Sequence, residues 1–185
     1  MFELSLHILD LVQNSVRAGA TVVTIRIAYD PDTDTLLLEL IDDGCGMDEA
    51  LLQQVTNPFA TTRTTRKVGL GIPMLKQLAE LCEGTFSLQS QVGKGTTLSA
   101  RFKMSSIDLP PMGDLPGTMR SLILGAPDRP EFVLEYSMGQ QRFTFDTREV
   151  REALGGLSLA EPDILGWIAG YIAQGMAEVR GTTPQ

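Results

Sequence analysis

A chain of 185 residues can build one domain with a full core, or one domain plus a small second one. Its formal net charge of −8 is the opposite of the usual nucleic-acid footprint, so neither DNA nor RNA is expected as a partner. Two cysteines, Cys45 and Cys82, and one histidine leave no disulfide framework and no zinc site, and free thiols suit a reducing cytoplasm.

The opening MFELSLHILDLVQ carries acids where a signal peptide has a basic segment, so secretion is not expected. Residues 3–18 read as a helix ended by Gly19. Within it Glu3, His7, Asp10, Asn14 and Arg17 recur at spacings of three and four. They form one polar stripe between apolar flanks, too narrow for a solvated face, and the stripe is read as the floor of a site. TVVTIRIAY (21–29) alternates as a strand, DPDTDT is turn material, and LLLELI (36–41) completes a hairpin. DDGCG follows, then MDEALLQQV (47–55) starts a short helix with acids in its first turn. Residues 57–71 have no hydrophobic period and read as a loop. IPMLKQLAELCEG (72–84) is an amphipathic helix closed by Gly84. TFSLQSQV and TTLSARFKM are strands flanking GKG (93–95).

This α-β-β-α-loop-α-β-β unit is complete by Met104, and 1–104 is expected to be one domain. Residues 105–118, rich in Pro, Gly, Ser and Asp, read as a linker to a small accessory α+β domain over 119–185. There MRSLILG, EFVLEYS and QRFTFDT suggest an antiparallel meander, and REVREALGG and EPDILGWIAGYIAQGMAEV suggest two helices. The apolar run 164–179 contains Gln174 and Glu178 and is too short to span a membrane. Gly166 and Gly170, four apart, are read as close packing between helices rather than a dimer contact.

Four boxes then line up: Asn14 with Asp10 one turn earlier, DDGCG (42–46) after a strand, KVGLG (67–71) opening a helix, and GKGT (93–96) between strands. Their order resembles the GHKL ATP-binding fold of histidine kinases, DNA gyrase, mismatch-repair ATPases and heat-shock chaperones, as a stand-alone member. DLVQNSVRAGAT is most similar to the mismatch-repair branch, and the order FAT, GLG, GKGTT to histidine kinases. The resemblance implies an α+β fold over 1–104: a two-layer α/β sandwich with a mixed, mostly antiparallel sheet, the Bergerat fold. A small α+β C-terminal domain would follow it.

The resemblance also implies roles. Asn14 would be the Mg²⁺ ligand, since a hard cation takes oxygen donors. Asp10 would orient or activate the attacking water; the family usually has a glutamate there, and the shorter side chain implies slow hydrolysis. Asp42 would accept from the adenine amino group, with Gly44 and Gly46 admitting the base closely. Met47 packs either on the base or in the core, and Asp43 and Cys45 fill variable positions with no assigned role. Residues 57–68 would be the ATP lid, made basic by Arg63, Arg66 and Lys67, the last standing where the family has glycine. Gly69, Leu70 and Gly71 would lead phosphates to a helix N-terminus, and Thr96 would hydrogen-bond near adenine. Arg17 serves either the phosphates or the helix dipole. The implied cofactors are ATP and Mg²⁺.

Three activities follow from that pocket. The first is a nucleotide-dependent regulatory or assembly factor, a slow ATPase whose closing lid alters a protein-partner surface on 119–185. The second is a protein kinase acting in trans on a histidine or serine. The third is an ATP-sensing interaction module without chemistry. With the sequence opening on the Asn14 helix, a phosphoacceptor helix ahead of the ATP domain is not expected, and no lysine follows Lys103 to serve as in the gyrase and mismatch-repair branch. His7 lies on the Asn14 helix and is read as an imidazole satisfied by Glu3 or the backbone, not as a self-acceptor. A homodimer is left open.

Overall fold

A computed structural model of the chain describes residues 3–56 and 70–181. The elements run α1 (Leu4–Arg17), β1 (Val22–Asp30), β2 (Thr35–Asp42), α2 (Glu49–Val55), α3 (Gly71–Leu81), β3 (Thr85–Gln91) and β4 (Gly95–Lys103). They continue with α4 (Leu115–Gly125), β5 (Glu131–Met138), β6 (Gln141–Asp146), α5 (Thr147–Leu154) and α6 (Pro162–Arg180).

Period-two alternation gives each strand one apolar face. The registers align those faces into a row across the whole sheet: Leu88, Leu98, Leu40, Ile25, Leu134 and Phe145, one from each strand. The strand order is β3-β4-β2-β1-β5-β6. Every pairing is antiparallel except β1 with β5. The helices cover the apolar face, with α1 against α3 and α4, and α4 against α6. On the opposite face Arg26 pairs with Glu39 and, at 2.6 Å, with Glu135 on its two neighbouring strands. The fold is α+β with a mixed, mostly antiparallel sheet, as the resemblance implied.

The meander expected beyond residue 118 is corrected. Residues 119–125 are helical, the end of α4. Buried Leu115, Met119, Leu122 and Ile123 carry a helical period that starts before the apolar run itself. Pro116 and Gly117 disguised that start, yet proline suits a first helical turn, and the Asp114 carboxylate caps it by accepting from Gly117 N at 2.8 Å. The remaining two strands form a hairpin that joins the same sheet through β5 beside β1. Sheet and core thus run on past residue 104.

The stretch 105–114 has no helix or strand but is tied down at both ends. Asp34 accepts from Ser105 N at 3.0 Å, and Pro111 O and Met112 O accept from Leu4 N and Ser5 N at 2.9 and 2.8 Å. Those last two bonds satisfy amides that the first turn of α1 cannot pair itself. Gly166 and Gly170 face open space rather than a neighbouring helix; the close approach on α6 is at Gly175, where an added Cβ would lie 2.2 Å from the Phe143 ring. No helix among the described residues is long and apolar enough to cross a membrane.

His7 departs from expectation. It is 3% exposed, and its Nδ1 has no hydrogen-bond partner among the described residues. Glu3 instead accepts from Ser5 Oγ at 3.3 Å. Burial pushes the imidazole below its ordinary value of 6.5, while the charge of Asp10 pulls the other way. The unfolded chain therefore binds a proton that the folded chain refuses. Stability is full above the unfolded value and falls as pH drops toward the depressed folded one. Thermal melts at about pH 7.5 and 5.5 should show a larger acid loss for wild type than for His7→Leu.

Candidate functional site

The second half of α1 turns Asp10, Asn14 and Arg17 toward a cleft of about 830 Å³. Asp42, Gly46, Met47 and Thr96 line the same cleft, and Leu11, Leu40, Val55, Ile72, Leu88 and Leu98 give it apolar walls. Glu3 and His7, the other members of the stripe, are not lining residues, so only its C-terminal part reaches the site.

Asp42 ends β2 and is fixed at both oxygens. Ser15 Oγ donates to Oδ2 at 2.6 Å, and Gly44 N donates to Oδ1 at 2.9 Å. Both donors leave lone pairs on an ionised carboxylate, which can only accept. Gly44 is squeezed against α1: an added Cβ would stand 2.9 Å from Ala18 Cβ and 3.1 Å from Ala18 O. Cys45 N then donates to Ala18 O at 2.9 Å, and Cys45 O accepts from Gly93 N at 2.8 Å. Gly46 has φ +68°, and a Cβ there would lie 2.0 Å from Gln91 O. The box is strapped between the end of α1 and the β3–β4 turn, and a side chain fits at neither Gly44 nor Gly46.

Thr96 lies 2.8 Å from Ser90, whose Oγ donates to Gly95 O at 3.0 Å and accepts from Met47 N at 2.8 Å. With the one Ser90 hydroxyl hydrogen directed at Gly95, Thr96 is the donor of that pair and keeps its lone pairs for a ligand. Gly71 opens α3, and a Cβ there would lie 2.2 Å from Asp10 Oδ2. Glycine alone lets the first turn of α3 stand so close to that carboxylate. Pro73, in the same turn, has no N–H to leave unpaired.

Arg17 Nη1 donates to Asn14 Oδ1 at 3.0 Å and is the one cation among the described lining residues. Leu70 is 60% exposed and does not line the cleft. Lys67, Gly69 and the expected lid at 57–68, with Arg63 and Arg66, lie outside the described residues.

Ser15 and Ser90 were not anticipated as site residues. The available signal for Ser15 was a small hydroxyl on the apolar face of the helix, four residues after Leu11. Cys45 is exposed and lines the cleft. Asp43 holds the start of β1, accepting from Thr21 N at 2.7 Å, Val22 N at 3.0 Å and the Thr21 hydroxyl. Burial pushes its carboxyl up, but these hydrogen bonds together hold it below the ordinary carboxylate value.

Residues 3–106 match the family model of histidine kinase-, DNA gyrase B-, and HSP90-like ATPases. The chain belongs to that family. The Non-motile and phage-resistance protein of Caulobacter vibrioides is 30% identical over 101 residues, 50% of this chain and 12% of that protein. Sporulation kinase E of Bacillus subtilis is 33% identical over 92 residues, 48% of this chain and 12% of that protein. The chain thus spans about an eighth of the length of these relatives. Among solved structures, the Aquifex aeolicus MutL ATPase domain complexed with ADP gives a TM-score of 0.48 at 15% identity, covering 100% of this chain and 71% of that one.

Gly46→Ala tests the strap. Positive φ and a clash with backbone should cost at least about 2 kcal/mol, lowering the melting temperature by roughly 5 °C in a differential scan.

Proposed function

We propose that the chain binds Mg-ATP in this cleft and acts as a nucleotide-dependent regulatory or assembly factor with slow hydrolysis. The observation that carries the reading is the Asp42 carboxylate, fixed by Ser15 and Gly44 as an acceptor within a largely apolar cleft. Such an acceptor recognises the exocyclic amine of adenine and repels the carbonyl that guanine carries there. Met47 and Leu98 offer the base apolar contact, and Thr96 a polar one.

The donor set also fits magnesium. The described residues hold no group of three or more His, Cys, Asp or Glu that could cage a metal. The stripe offers oxygens from Asn14 and Asp10 only. That is the sparse set Mg²⁺ uses when phosphates and waters complete its shell. Bound there, magnesium would offset the phosphate charge. Arg17 steadies the Asn14 oxygen, and the first-turn amides of Gly71 and Ile72 offer the phosphates a helix N-terminus. Asp10, beside that terminus, is the base for water.

A trans-acting protein kinase is the second reading, favoured by relatives whose names mark them as kinases: Sporulation kinase E, and the Autoinducer 2 sensor kinase/phosphatase LuxQ of Vibrio harveyi, 28% identical over 140 residues, 70% of this chain and 15% of that protein. The two readings part on the fate of the γ-phosphate.

Calorimetric titration with ATP should show Asp42→Asn weakened by about 2 kcal/mol, roughly thirtyfold in Kd. Asn14→Ala should remove the gain that Mg²⁺ brings. In a phosphate-release assay Asp10→Asn should lower turnover by on the order of a hundredfold while still binding ATP. Unchanged release in Asp10→Asn would remove Asp10 from the chemistry. Labelled phosphate on an added protein, rather than in solution, would move the assignment to a kinase.

A further inference from the structure

A second concavity, of about 400 Å³, lies between α5 and α6 over β6 and shares no lining residue with the nucleotide cleft. Phe145 floors it, Val150 and Leu154 form one wall, and Ile164 and Trp167 form the other. Trp167 is 55% exposed and Tyr171 43% exposed, their rings stacked at 5.1 Å and 13°. Large aromatics left half in water along an apolar groove mark an interaction surface.

Charge decides the occupant. Glu149 on the α5 wall and Asp163 on the α6 wall have no salt bridge among the described residues, whereas Asp146 is already paired with Arg148 at 2.6 Å. A second copy of this chain would bring its own net charge of −8 and the same two acids against them. A groove between two helices instead fits a third helix, laid in with apolar side chains at spacings of three and four.

We propose that this groove docks an amphipathic helix of another protein. Its apolar face packs on Leu154, Ile164 and Tyr171. Lysine or arginine residues beside that face meet Glu149 and Asp163, and one can stack on the open ring of Trp167. The inference rests on the reading that the chain acts on a protein partner, and it adds the place and the chemistry.

Trp167 is the only tryptophan, so its emission reports the groove directly. The probes are two synthetic amphipathic helical peptides with one leucine face, flanked by lysine in one and glutamate in the other. The lysine peptide should shift Trp167 emission to the blue and saturate, and the glutamate peptide should bind at least about tenfold more weakly. Ala153→Arg, at an exposed helical position lining the groove, should abolish the shift with the thermal melt unchanged. Glu149→Lys with Asp163→Lys should invert the preference. Equal affinity for both peptides, or no shift by either, overturns the proposal. So does emission that varies with protein concentration alone, which would assign the groove to a second copy. The titration contains no nucleotide, so it reads out even if ATP binding fails, and its failure leaves the ATP measurements standing.

Discussion

Much of the site depends on the hydrogen bond from Ser15 to Asp42. It joins the last turn of α1 to the end of a central strand, at 2.6 Å, with Ser15 only 7% exposed. A hydroxyl given to a carboxylate is a strong, charge-assisted bond, and it holds the acid without cancelling its charge. A cation in place of Ser15 would consume the acceptor that a base must use. A methyl group would leave the acid held by Gly44 N alone. The same joint fixes how far α1 lies from the sheet, because Gly44 and Cys45 press on Ala18 just beyond it.

From that joint α1 serves two sides. Leu4, Ile8, Leu11 and Val12 seal the core, while Asp10, Asn14 and Arg17 open to the cleft. Its first amides are satisfied by the passage at 111–112, which leads into α4 on the same core. The central strand β1 has β2, which carries Asp42, on one side and β5 on the other. The cleft and the aromatic groove therefore stand on one sheet, with no lining residue in common.

The elements that were legible in the sequence carry their signal locally. Asp10 and Asn14 stood out because polar groups at helical spacing interrupt an apolar helix, and Asp42, Gly44 and Gly46 because acids and glycines crowd the end of a strand. The elements that were not legible depend on distant partners. β5 reads as any apolar strand, and nothing within it says that its neighbour is parallel β1, more than a hundred residues earlier. α4 was hidden by a proline and a glycine that suit a helix start as well as a linker. Ser15 and Ser90 matter only through what they meet across the fold, and the unpaired nitrogen of His7 appears only when its neighbours surround it.

The most direct test of the central claim is base selectivity: wild-type protein titrated with ATP and, separately, with GTP, both in excess Mg²⁺, by calorimetry. A fixed carboxylate acceptor predicts saturable ATP binding and GTP weaker by on the order of a hundredfold or more, because a half-buried acceptor facing a carbonyl has no compensating bond. Equal affinity for the two, or no binding of either, would contradict the assignment of Asp42 and with it the reading of the cleft.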